Sequence, residues 1–261
     1  MRRLLIALLL VFASLPVAGV NTVVVMRHPA AAVTPPSATG SVLEFSLNNA
    51  NTGTVSTTIT VPADATFVTV GISGYEPTAD FFSGGSMTFT KGGADTAMTT
   101  AKTGTNSGDH LSTVFMSAMF YLVAPDTGAN KTLKWDWVGT ATADNAPKIS
   151  VTFWKGVNQS TPVRGAGGGQ SGTSTPYTTS TITAASGDLI VAWVGAFART
   201  EGTADSWTSA TLLSQVAFHS GGLSDGAWAT ASPTGDQTVA CATDTNWDDG
   251  GIVAISLEPV P

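Results

Sequence analysis

The chain has 261 residues, only 11% of them charged, and its 18 acids outnumber its 11 bases for a net charge of -7. That balance excludes a nucleic-acid partner, because too few Lys and Arg are present to neutralise phosphates. Cysteine occurs once, at Cys241, so no disulfide forms within the chain, and 28 glycines with abundant Thr and Ser predict strands whose wet faces carry hydroxyls rather than ions.

Residues 1–26 read as an apolar leader. Met1-Arg2-Arg3 precedes an apolar run from Leu4 to Phe12, and Val17-Ala18-Gly19 offers small residues for cleavage before Val20, as in a secretory signal. The absence of charge from Leu4 to Met26 also suits a membrane anchor, or an assembly arm packed on neighbouring subunits. Either way, a membrane is met only through this segment. Residues 27–40, RHPAAAVTPPSATG, lack periodicity and read as a linker, leaving 41–261 as a single β-sandwich domain.

Within that domain Val42 to Leu47 is a short strand, and Val55, Thr57, Ile59 and Val61 alternate with hydroxyl residues, which predicts a half-buried strand. Thr66 to Ile72 is evenly apolar and central in character. Leu111 to Val123 carries some helical spacing, but its flanks are β-like and it is read as a strand. Lys131 to Val138 turns Leu133, Trp135 and Trp137 inward, and Lys148 to Trp154 turns Ile149, Val151 and Phe153 inward with Lys148, Ser150 and Thr152 outward. Arg164 to Thr175, with five glycines, reads as a flexible loop. Leu189 to Ala198, ten apolar or Gly residues after the Ser186-Gly187-Asp188 turn, is a central strand buried on both faces, too short to span a membrane. Trp207 to Phe218, Ala227 to Ala231, Gln237 to Thr243 and Gly251 to Leu257 complete the set. About twelve to fourteen short strands without an amphipathic helix predict an all-β fold, a two-sheet antiparallel β-sandwich of jelly-roll type.

Catalytic chemistry finds little support. His28, His110 and His219 are scattered, which does not suit zinc. Gly71-Ile72-Ser73-Gly74-Tyr75 lacks the last Gly of a nucleophile elbow, and the glycines at 165–172 lack a Walker lysine. A glycoside hydrolase would need two carboxylates in a cleft, which spacing does not reveal. The expectation is therefore a chain that is not an enzyme and carries no cofactor. The best ligand-like cluster is Asp244, Asn246, Asp248 and Asp249, whose oxygens suit calcium, although Asp249 stands where an EF-hand needs Gly; a solvated acidic turn is the plain alternative. Trp207, Trp228 and Trp247 lie near turns, and clustered at one end they would stack on sugars as in a carbohydrate-binding module. Core packing is the competing reading for all seven tryptophans.

Val151-Thr152-Phe153-Trp154-Lys155-Gly156-Val157-Asn158-Gln159-Ser160-Thr161-Pro162-Val163, Gly187-Asp188-Leu189-Ile190-Val191 and the closing Ile252-Val253-Ala254-Ile255-Ser256-Leu257-Glu258-Pro259 resemble an uncharacterised family of β-sandwich, jelly-roll-like domains. Members occur in bacterial extracellular proteins and phage virion or tail-associated proteins. The resemblance covers roughly 42–259 and carries no catalytic residues. It implies a structural or adhesive protein displayed on a virion or cell surface, with itself or neighbouring surface or capsid subunits as partners. The runner-up is a secreted glycan-binding module, and an extracellular location is common to both.

Overall fold

A computed structural model describes residues 34–46, 54–76, 86–107, 114–136, 148–171, 176–198, 206–215, 224–242 and 247–261. These residues form an all-β, antiparallel sandwich architecture of seventeen strands with no helix. In chain order they are Ser37–Ser46 (β1), Thr54–Val61 (β2), Phe67–Glu76 (β3), Ser86–Lys91 (β4), Ala94–Ala97 (β5), Thr99–Ser107 (β6), Val114–Val123 (β7), Gly128–Asp136 (β8) and Lys148–Lys155 (β9). Then follow Val163–Ser171 (β10), Tyr177–Thr178 (β11), Leu189–Ala198 (β12), Ser206–Thr208 (β13), Thr211–Gln215 (β14), Ser224–Ala231 (β15), Ala240–Ala242 (β16) and Trp247–Leu257 (β17).

The sandwich is built twice. Residues 37–155 form an inner sheet of order β1-β9-β3-β7-β6 and an outer sheet of order β2-β8-β4-β5. Residues 163–257 repeat this as an inner sheet β10-β17-β12-β15-β14 and an outer sheet β11-β16-β13. In each half the first strand pairs with the last, the second with the second from last, and β3 with β7 or β12 with β15. Such nested pairing belongs to a chain doubled back as one long hairpin and rolled into two sheets, the jelly-roll topology.

Four sheets enclose three cores. Val68, Val70 and Ile72 of β3 pack with Phe89, Leu133 and Trp135 of the first outer sheet. Ile190, Ala192 and Val194 of β12 pack with Tyr177, Val239 and Cys241 of the second half. Between the two inner sheets, Phe67, Met119 and Trp154 meet Val191, Trp193, Trp228, Val253 and Ile255. The central strand β12 is thus buried on both faces, as its unbroken apolar run requires.

Several expectations hold and several change. Thr54, Ser56, Thr58 and Thr60 of β2 are exposed while Ile59 and Val61 are buried, the hydroxyl-coated alternation read from sequence. Cys241 is buried in the second core and forms no disulfide, as its place in an apolar strand suggested. Strand β1 begins at Ser37, inside the stretch read as linker, because residues 37–39 pair with Trp154 and its neighbours. Ser150 and Thr152, expected to face outward, are buried because their face of the sheet is covered by the second jelly roll.

The glycine-rich stretch is not a loop but strand β10, paired along its length with β17. Gly165, Gly167 and Gly169 alternate with period two, so they share one face. A Cβ on any of them would overlap the backbone at Thr183, Ser180 or Thr178. Glycine here admits a second chain segment at backbone distance, where Ser180 N–H donates to the Gly168 carbonyl at 3.0 Å.

Candidate functional site

The three sequence-nominated tryptophans are not brought together as a stacking platform. Trp228 is fully buried between the inner sheets, its indole N–H donating to Ser150 Oγ at 2.8 Å and its ring tilted against Trp193 at 5.0 Å. No sugar reaches it, so its assignment as a glycan residue is corrected: the residue on the sheet's inner face fills the gap above a serine. Trp207 of β13 is half-buried against the second core, with its indole nitrogen shut from solvent and unpartnered. Trp247 opens β17 opposite Ala198, and its side chain lies outside the described residues.

Of the acidic cluster, only the backbones of Asp248 and Asp249 are described. Asp248 and Asp249 are backbone members of β17, with Asp249 opposite Phe197, so the chain is extended there rather than looped. Asp244 and Asn246, and the side chains of both aspartates, lie outside the described residues, as do His28, His110 and His219. Among the described residues no group of three acid, His or Cys side chains converges as a metal site.

One surface was missed by sequence reasoning. The stretch from Trp207 onward was read as one strand, but Ser209 adopts a left-handed φ of 62° and breaks it into β13 and β14. Strand β14 is the outermost strand of the second inner sheet, and it carries Leu212 at 44% and Leu213 at 38% exposure. Beside it lies an open groove of about 630 Å³, faced by Ser209, Thr211, Thr230, Ser232 and Gln237. The hydroxyls and the amide among its described lining residues make this groove fit for hydrogen bonding. The readable signal was the adjacent apolar pair Leu212-Leu213, on the strand that ends the sheet among the described residues.

The buried charges are committed to the fold. Asp188, at the foot of β12, is 1% exposed and accepts from Arg164 Nε at 2.7 Å, Ser256 Oγ at 2.9 Å and the Ala185 amide at 2.9 Å. Burial by itself would raise this carboxyl; the Arg164 guanidinium, the Ala185 amide and the Ser256 hydroxyl outweigh it and hold it below the ordinary carboxylate range. Arg164 also faces Glu258 at 3.6 Å, which accepts from Thr161 at 3.0 Å. Every oxygen of Asp188 is therefore engaged, and the group ties β10, β12 and β17 together. No protein-family model matches this chain, and neither a curated protein nor a solved structure matches it.

Proposed function

We propose that this chain is a non-enzymatic structural or adhesive protein, displayed on a virion or cell surface, that works by assembly and contact with copies of itself or neighbouring subunits. The observation that carries the reading is strand β14, which ends its sheet among the described residues and carries two adjacent exposed leucines. An edge of that kind is a template for pairing with another chain unless it is blunted. Its topological counterpart β6 is blunted, since it carries exposed Lys102 and no large apolar residue. Tandem jelly rolls add a fold-level analogy to capsid and surface proteins, and the resemblance carried by Val151 to Val163 and Gly187 to Val191 points the same way.

Sedimentation of the purified protein tests the reading. Wild type is expected to form a defined oligomer that Leu212→Lys plus Leu213→Lys reduces towards the monomer without loss of the β circular-dichroism signal. A wild type that stays monomeric at all concentrations, and fails to label intact particles or cells from its source, would sink it.

A further inference from the structure

We infer that the buried face between the two inner sheets is a recognition surface between two like jelly rolls, so that this chain is a fused pseudo-homodimer held together by that face rather than by the peptide joining its halves.

The strand orders of the two inner sheets run in opposite directions across the interface. Strand β6 lies against β10 and β17, β7 against β17 and β12, β3 against β12 and β15, and β9 against β15. At the far edge Ser214 of β14 donates to Glu44 of β1 at 3.2 Å. In terms of position within each half, the first strand of one faces the edge strand of the other, and the two third strands face each other. A two-fold rotation along β3 and β12 produces that arrangement, as in the isologous interface of a symmetric dimer.

The correspondence extends to single residues. In the first inner sheet Gly71 sits between Ser150 and Met119; in the second, Trp193 sits between Val253 and Trp228. Each edge strand skips one residue beside this row, Ala101 next to Met119 and Leu213 next to Trp228. The segments that leave β9 and β17 also pair with each other, with Val157 opposite Pro259 and the Val260 amide donating to the Gly156 carbonyl at 2.9 Å.

The two rows are complementary where they are not identical. A Cβ on Gly71 would overlap the Trp193 ring, and the Trp193 indole N–H donates to the Ile72 carbonyl at 3.3 Å. Trp228 covers Ser150 in the same manner. Two first halves face to face would leave Gly71 and Ser150 without the indoles that fill them, and two second halves would force Trp193 against its own copy where Gly71 now makes room. The partner that this surface fits is therefore a jelly roll of the same register bearing the opposite row, a selection made by steric fit on both sides.

A specific protease site inserted between Gln159 and Ser160, both exposed in the connection, tests this on the folded full-length chain, with the uncut insertion protein as the control for loop damage. After cleavage the two fragments are expected to stay in one particle of intact mass by native mass spectrometry and gel filtration at a concentration on the order of 1 μM. Their melting midpoint should fall on dilution, which that of the uncut chain should not. Cleaved Trp193→Ala is expected to separate into its fragments, whereas cleaved Trp135→Phe, altered in the first core, should not. Fragments that part in the wild-type background would overturn the proposal. So would a cleaved Trp193→Ala protein as tightly associated as wild type, which would assign the cohesion to the 156–162 and 258–260 segments instead.

Discussion

At Gly71 the side chain that is missing decides the packing. Gly71→Ala places a methyl against the Trp193 ring, and overpacking of this kind should lower unfolding stability by about 1–3 kcal/mol, read from urea denaturation with intrinsic tryptophan fluorescence. Buried hydroxyls follow the same logic. Ser150 accepts from Trp228, so Ser150→Ala orphans an indole N–H and should cost about 1–3 kcal/mol, while Trp228→Phe at the same site removes the orphan but leaves a gap. Asp188 makes a prediction in pH. Its folded carboxyl lies below the ordinary value, so its contribution is complete above about pH 4 and is lost as pH falls through the folded value. Asp188→Asn should lower stability at neutral pH by about 3 kcal/mol and flatten the acid side of the stability profile. A mutant profile parallel to wild type between neutral and acid pH would show that another carboxylate carries that limb.

Among the elements, β10 and β14 are where residue type and backbone role were hardest to connect. Composition makes Gly165 to Gly169 a flexible stretch, yet its alternation of glycines on one face is a strand signature, useful only once a second segment is known to lie on that face. Gly167→Ala and Gly169→Ala should each speed amide exchange in Tyr177 to Ile182, because the added methyl pushes this segment off β10. Unchanged exchange in both variants would mean that the contact is not tight in solution. For β14 the local signal was blurred by Ser209, whose left-handed backbone is not demanded by a serine, and so the turn that creates the edge strand was invisible. The candidate site was legible only in part for this reason. Trp207 was nominated correctly as lying close to a turn, whereas Trp228 was indistinguishable from it by spacing, although one is half-buried and the other sealed between sheets.

For the whole molecule, the shared core of Phe67, Met119, Trp193, Trp228 and Val253 joins two jelly rolls into one cooperative body. Calorimetry should therefore show a single unfolding transition with calorimetric and van't Hoff enthalpies in agreement. Two resolved transitions would show that the halves melt independently. Folding should be slow for the chain length, because the first strand of each half pairs with its last and loop closure precedes every such contact.

The sequence by itself determined the all-β class, the alternation of β2, the inward residues of β8 and β9 on the outer-sheet side, and the double burial of β12, since each follows from period and apolar run length within one strand. The duplication, the burial of Ser150 and Thr152, and the strand at β10 were decided by tertiary structure. A hydroxyl face is equally compatible with water and with a tryptophan that donates to it, and a glycine face is equally compatible with a loop and with close backbone contact. Which alternative holds depends on what lies opposite, and here that is a second jelly roll distant in sequence, with large side chains where the first has small ones.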